Sequence, residues 1–450
     1  VRWRNFPEGP PAAGKGGGIG MRQEIQVGML GLGTVGRGVY RVLTKNGPLI
    51  EQRTGAGVVL KKVLVRDTGR QRGVTLPPGL LTTDVREILD DPAIRVVIEV
   101  MGGTGPALDY VLAALRSGRS VVTANKDMVS EHGRELFQAA GEGGADILFE
   151  GSVAGGIPII TPLKESLAAN RIVSLHGIIN GTTNYILTRM TREGLDLATA
   201  LAAAQEAGYA EADPHADIDG LDAARKLAIL ASIAFNTRIL PQDVYVEGIR
   251  PVTAEDIGYA RELGYTVKLL AIARETAEGV EVRVHPAFVP QGHPLAAVSG
   301  VFNAVFVVGD AVGETMFFGR GAGEMPTASA VVADVMDAVR HLLYRAPGLF
   351  GCTCFDNKPL KPPGLVDTRF YLRLKVVDRP GVLAAIAEVF GTNEVSLAQV
   401  IQKQVPDLAE LVMITHRVRE ANLRRALATI GDLPVVSEVA SVIRVEGEEY

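Results

Sequence analysis

The chain has 450 residues, which at ~150 residues per domain suggests about three domains. With 47% hydrophobic and 22% charged residues it can bury a large core, and a formal net charge of -5 without a long basic run argues against a nucleic-acid partner. No apolar run reaches the ~18 residues of a membrane helix, and two cysteines, Cys352 and Cys354, give no disulfide framework, which fits a reducing cytoplasm.

Residues 1–20 are rich in Gly and Pro, lack periodicity, and lack the apolar core of a signal peptide. They read as a disordered extension, with Met21 as the expected start. A short buried strand begins at Ile25 and runs into Gly31-Leu32-Gly33-Thr34-Val35-Gly36, followed by a helix over 37–46. This is the G-x-G-x-x-G spacing of a dinucleotide site. Gly31 permits a tight turn, Gly33 lets backbone N–H groups approach a pyrophosphate, and Gly36 lets the helix pack close to the strand. The helix start adds free N–H groups and a positive dipole end.

Strands are predicted over 58–65, 95–100, 120–124 and 146–150. Helices are predicted over 84–89, 108–117 and 134–141. This alternation predicts a parallel sheet wound on both faces, with ligands beyond the strands' carboxyl ends. Gly31 to Gly36, Arg66, Met101-Gly102-Gly103 and Thr123 to Lys126 should converge there. An arginine ending the second strand accommodates a 2′-phosphate, and an acidic residue grips a ribose 2′-OH. Arg66 comes first and Asp67 next, which favours NADP and leaves room for NAD. Lys126, just past a strand end, can hold a carboxylate, a phosphate or a polarised carbonyl.

From 151 the pattern changes to α+β. A strand is predicted over 172–179, helices over 183–193, 197–207, 221–235 and 254–263, and strands over 266–274, 280–289 and 302–308. Gly208-Tyr209-Ala210-Glu211-Ala212-Asp213-Pro214 connects two helices, and Asp217, Asp219, Asp222 and Lys226 follow. Asp222 and Lys226 lie i, i+4 on one helix face. Such a pair is a surface salt bridge, a metal site or a proton-transfer site, and spacing does not choose. The glycine-rich loop 149–158 reads as an ion-binding loop or an interdomain turn. A helix returns over 325–344. Residues 346–367 read as a Pro/Gly-rich linker in which Cys-Thr-Cys is a pair of ordinary thiols. The remainder, 368–447, has a βαββαβ pattern, the ferredoxin-like order.

Taken together the motifs resemble homoserine dehydrogenase over nearly the whole chain after residue 20. They are Gly-Leu-Gly-Thr-Val-Gly (31–36), Val-Leu-Val-Arg-Asp (63–67), Thr-Ala-Asn-Lys (123–126), Phe-Glu-Gly-Ser-Val-Ala-Gly-Gly-Ile-Pro (149–158) and Asn-Gly-Thr-Thr-Asn-Tyr-Ile-Leu (180–187). The most specific is Gly-Tyr-Ala-Glu-Ala-Asp-Pro (208–214) with Asp-Ile-Asp-Gly-Leu-Asp-Ala-Ala-Arg-Lys (217–226). Val-Val-Asp-Arg-Pro-Gly-Val-Leu (376–383) and Gly-Thr-Asn-Glu-Val-Ser (391–396) resemble an ACT domain, an amino-acid-sensing module. No aspartokinase-like segment precedes the dinucleotide motif, so the monofunctional form is expected.

The resemblance implies a Rossmann-type dinucleotide domain over 21–150 completed by 320–345, an α+β substrate and dimerisation domain over 151–319, and a C-terminal ACT domain. It implies NAD(P)-dependent interconversion of L-homoserine and L-aspartate 4-semialdehyde, a step toward threonine, methionine and isoleucine. It makes Lys226 the proton donor and acceptor, Lys126 and Asp222 its catalytic partners, and Glu211 the holder of the substrate ammonium, with Asp222 and Lys126 also facing substrate. The cofactor site it implies comprises Gly31, Gly33, Thr34, Val35, Gly36, Arg66, Lys126 and Gly323. It implies a sodium ion held by main-chain groups of Glu150, Val153, Gly155 and Ile157. A homodimer or homotetramer is expected, with L-threonine as an inhibitory effector contacting Asp378, Gly381 and Asn393. A prephenate-dehydrogenase-like enzyme and a non-catalytic sensor are the rival readings, and the 208–226 set argues against the first.

Overall fold

A computed structural model describes residues 23–346, 351–405 and 408–447. The expected extension over 1–20 and the start at Met21 lie outside the described residues.

The first sheet is wholly parallel. Its strands are β1 (Glu24–Leu30), β2 (Gly57–Leu64), β3 (Leu81–Thr82), β4 (Ile94–Glu99), β5 (Ser120–Thr123) and β6 (Ile147–Leu148), ordered β3-β2-β1-β4-β5-β6. Helices α1 (Thr34–Thr54), α2 (Arg86–Leu89), α3 (Gly105–Arg116) and α4 (Lys126–Gly143) connect them. Winding reverses between β1 and β4, and such a switch point opens a crevice beyond the strand ends. Strands buried on both faces explain the near-continuous apolar runs, as in Val96-Val97-Ile98.

Helix α1 runs eight residues past its expected end at 46, through Gly47 and Pro48. Leu43 and Ile50 continue its buried stripe. Pro48 and Thr44 are exposed, so water can serve the carbonyl that proline leaves without a donor.

The second region contributes β7 (Ile172–Ile178), α5 (Gly181–Glu193), α6 (Leu197–Glu206), α7 (His215–Ile218), α8 (Leu221–Ala234), β8 (Tyr245–Val246), α9 (Ala254–Glu262), β9 (Tyr265–Thr276), β10 (Gly279–Pro290), β11 (Phe302–Gly309) and β12 (Gly313–Arg320). Helix α8 is buried nearly all round, through Ala223, Leu227, Leu230 and Ala231. Its charged Asp222 and Lys226 are therefore set into a packed interior. Helix α10 (Glu324–Tyr344) returns to the parallel sheet and packs on α1. A Cβ built on Gly38 would meet Glu324 O at 2.5 Å, so this crossing needs glycine.

The C-terminal unit comprises β13 (Asp367–Val376), α11 (Val382–Thr392), β14 (Leu397–Val405), β15 (Leu408–Thr415), β16 (Val418–Arg419), α12 (Glu420–Gly431) and β17 (Val436–Val445). Strand β17 pairs in parallel with β10, joining both regions in one sheet ordered β12-β11-β7-β9-β10-β17-β13-β15-β14. The joint is charged and largely buried. Glu446 bridges Arg274 at 2.9 Å and Arg283 at 2.6 Å. Arg444 pairs with Glu247 and Glu420, both at 2.7 Å. Arg373 meets the fully buried Asp256 at 2.8 Å, and Phe288 stacks on Tyr371. The linker reading therefore understates the attachment: this unit is docked on the strands of the second region. Among the described residues no helix is long and apolar enough to cross a membrane.

Candidate active site

The glycine turn, Arg66, Met101 and Gly102 line one cavity of roughly 720 Å³ beyond the parallel strands. Gly31 has φ +102°, and a Cβ on Gly36 would lie 2.6 Å from Gly31 O. Both glycines are demanded by the fold itself. Gly33 is different, because a Cβ there meets no protein atom within 4 Å. Its bare Cα leaves the start of α1 open to the close approach that a phosphate would need. Thr34 opens α1 beside it, with Val35 next. The rim carries Arg37, Arg66, Arg70 and Arg72. The Asp67 carboxylate accepts the Gly69 N–H at 2.8 Å, so it is already engaged in its own turn.

Glu99, absent from the sequence reading, ends β4 fully buried. Its carboxylate accepts N–H groups of Met101 (2.7 Å) and Gly102 (3.2 Å) and the Thr123 hydroxyl (2.6 Å). Asn125 donates to Gly103 O at 2.7 Å and caps α4 by accepting the Met128 N–H. These bonds tie the 101–103 loop to the turn that launches Lys126. An acidic residue inside an apolar strand, just before Met-Gly-Gly, was the signal available.

On the substrate side, Asp222 bridges two lysines from two helices. Its Oδ2 lies 2.7 Å from Lys226 Nζ, and its Oδ1 lies 3.3 Å from Lys126 Nζ. Asn180 donates to Asp222 Oδ2 at 2.9 Å and to Asp217 Oδ1 at 2.7 Å, while its own oxygen caps α5 by accepting the Thr183 N–H. Lys226 also donates to Ile179 O at 2.9 Å. Burial pushes the Asp222 carboxyl up, but the Lys226 and Lys126 charges and the bonds from Lys226 and Asn180 outweigh it and hold the group down at about 2. Asn180 and Asp217 appeared in the sequence motifs without a role; their place in this cluster is a fact of three-dimensional packing.

Glu211 does not join the cluster. It is exposed, on a loop that Thr182 ties to α5 through Tyr209 O at 2.8 Å, and its backbone carbonyl accepts from Gln205. Asp219 turns outward to Arg250, with 3.0 Å between Oδ2 and Nη2.

The 149–158 loop is built around the Glu150 carboxylate, which accepts N–H groups of Ile159 (2.6 Å), Ile160 (2.8 Å) and Thr161 (2.7 Å). That carboxylate is fully used in holding the backbone. Ala154 and Gly155 both have positive φ, and Gly155 is packed so tightly on Gly321 that its Cβ would lie 2.4 Å from Gly321 O. No backbone N–H of the described residues donates to the carbonyl oxygens of Val153, Gly155 or Ile157. Among the described residues no group of three or more His, Cys, Asp or Glu side chains could hold a metal. Gly323 caps α10, and the adjoining Glu324 pairs with Arg37 of α1 at 3.4 Å.

The homoserine dehydrogenase NAD binding domain matches residues 31–150, the homoserine dehydrogenase family matches 158–336, and the ACT domain matches 370–435. Homoserine dehydrogenase of Bacillus subtilis is 45% identical over 429 residues, 95% of this chain and 99% of that protein. The crystal structure of a homoserine dehydrogenase from Thiobacillus denitrificans superposes with a TM-score of 0.90 at 44% identity, covering 94% of this chain and 99% of that one. A hyperthermophilic archaeal homoserine dehydrogenase in complex with NADPH has a TM-score of 0.60 at 28% identity, over 70% of this chain and 98% of that one. The chain belongs to the homoserine dehydrogenase family.

Proposed function

We propose that Lys226 gives and takes the proton at the substrate oxygen, with Asp222 orienting it and Lys126 completing the charge balance. The reaction is the family's interconversion of L-homoserine and L-aspartate 4-semialdehyde by an NAD(P)-dependent oxidoreductase acting on a CH–OH group. One observation carries the assignment. An ammonium has three N–H donors, and two of those of Lys226 are spent on Asp222 and Ile179 O. The third is left for a ligand, in a direction fixed by the other two.

When bound, the nicotinamide exchanges a hydride with the substrate carbon. During aldehyde reduction negative charge grows on the oxygen. The Lys226 ammonium stabilises that charge and supplies the proton; in the reverse direction the neutral amine takes the hydroxyl proton. Asp222 accepts from Lys226 and pairs with the charge of Lys126, so it orients the one and anchors the other. Glu211 remains the proposed holder of the substrate ammonium.

Several finer assignments belong to the same reading. NADP is favoured by Arg66 among the rim arginines. The carbonyls of Glu150, Val153, Gly155 and Ile157 are hard oxygen donors suited to sodium, and exchanging sodium for choline in the assay checks them. A homodimer is supported by edge strand β12, which exposes Met316 and Phe318. L-Threonine is the proposed effector, at exposed Asp378 and Gly381 and half-buried Asn393. The network around Glu446, continuous with the catalytic sheet, offers the route by which a ligand there biases the site.

Lys226→Ala is expected to lower kcat by about 10²- to 10⁴-fold with cofactor affinity nearly intact. Steady-state kinetics with aspartate semialdehyde and a cofactor titration check this, and near wild-type kcat sinks the assignment. Arg66→Ala should raise KM for NADP at least about tenfold more than KM for NAD, since one 2′-phosphate contact is charge-assisted. Equal losses would remove Arg66 from that role. Millimolar threonine should inhibit the full chain, and Asp378→Ala should raise the concentration needed on the order of tenfold, the scale of common coupling energies. A chain indifferent to threonine contradicts the effector assignment.

A further inference from the structure

Cys352 and Cys354 flank one residue in the segment that follows α10, and they are the chain's two cysteines. The segment is fastened against α8 and the turn after it. The Cys354 thiol reaches Ser232 O at 3.9 Å, the Asp356 N–H donates to Asn236 O at 2.8 Å, and the Lys358 N–H donates to the Thr237 hydroxyl at 3.0 Å. The Cys354 N–H donates to Cys352 Sγ at 3.4 Å, which turns the two side chains toward one another.

They line a small cleft between α4 and α8, the two helices that carry Lys126, Asp222 and Lys226. Its walls include Ser130, Arg134, Phe137, Lys164 and Arg238. Lys164 Nζ sits 5.2 Å and 5.3 Å from the ring centres of Phe137 and Phe149. The cleft thus combines a solvent-reachable sulfur at exposed Cys352, a second sulfur against it, an apolar floor and flanking cations.

We propose that Cys352 and Cys354 are a redox-active dithiol that reacts with small carboxylate-bearing disulfides, Cys352 attacking and Cys354 resolving. The neighbouring Cys354 side chain and its N–H, with Lys164 and Arg238, lower the Cys352 thiol to about 6, against burial. The neighbouring Cys352 and burial raise Cys354, which fits it to the resolving role. A depressed, accessible thiol next to a resolving partner is the arrangement of reactive cysteines.

The steps balance. The Cys352 thiolate attacks one sulfur of a disulfide RSSR; the S–S bond breaks and RS⁻ leaves. Cys354 then gives up its proton and attacks the Cys352 sulfur of the mixed disulfide. The second RS leaves as a thiol carrying that proton, and the Cys352–Cys354 bond forms. Two electrons pass from the protein dithiol to RSSR. Once the ring closes, Cys354 no longer has a thiol to offer Ser232 O.

One equivalent of 5,5′-dithiobis(2-nitrobenzoate) tests this on the full chain, by absorbance and intact mass. The wild type should release two aryl thiolates per chain and keep no adduct. Cys354→Ser should release one and keep the adduct on Cys352. Cys352→Ser should react at least about tenfold more slowly than Cys354→Ser, because thiolate fraction and access govern the rate. A wild type that releases one thiolate and retains the adduct, or single variants that react equally fast, would overturn the proposal.

Discussion

The buried carboxylate of Asp222 is the contact on which the site depends. It holds one ammonium from α8 and one from α4, so it joins the second region to the parallel-sheet region at the proposed catalytic lysine. Without it, two cations would face each other in a partly dry space. Removing one partner of a buried ion pair commonly costs about 3–5 kcal/mol, so its loss should be felt in structure as well as rate. The sign of its pH linkage is clear. The folded carboxyl lies at about 2, below its usual value of 3.8, so its stabilisation is fully present above 3.8 and is lost progressively as pH falls from there through about 2. Across any neutral assay range Asp222 remains an anion and both lysines keep their partner.

The C-terminal unit obeys the same logic at a distance. Glu446 is held well below the usual carboxylate range: burial raises it, and Arg283 and Arg274 more than reverse that. Both arginines belong to strands of the catalytic sheet, while Glu446 follows β17. A ligand on this unit can change catalysis only by binding two states of the whole protein unequally. A shared sheet with buried ion pairs across the joint makes such states collective, because one side of the joint cannot move without unpairing charges on the other.

Much of the fold was legible in the sequence, for physical reasons. Short, near-continuous apolar runs alternating with helical stripes announced the parallel sheet, and the glycine spacing located its ligand edge. The βαββαβ order announced the C-terminal unit. What escaped was long-range. Strand β12 alternates half-buried and exposed residues at a sheet edge, giving a weak signal. The length of α1 was hidden by Gly47-Pro48, where buried Ile50 overrides local propensity. In the site, Asp222 and Lys226 share a helix face and were visible as a pair. Asn180, 42 residues before Asp222, and Glu99, 24 residues before Thr123, act across the fold, and no spacing rule reaches that far. The resemblance supplied Glu211, whose exposed side chain stands apart from the lysine cluster.

The central claim is that Asp222 acts through Lys226 as one unit. A double-mutant cycle on kcat for Lys226→Ala, Asp222→Asn and the pair measures this directly. Residues that act as a unit are non-additive. The account predicts that adding Asp222→Asn to Lys226→Ala costs little more, within a few-fold of Lys226→Ala alone, although Asp222→Asn by itself lowers kcat by about tenfold or more. If the two losses multiply, Asp222 and Lys226 act independently and the account is contradicted.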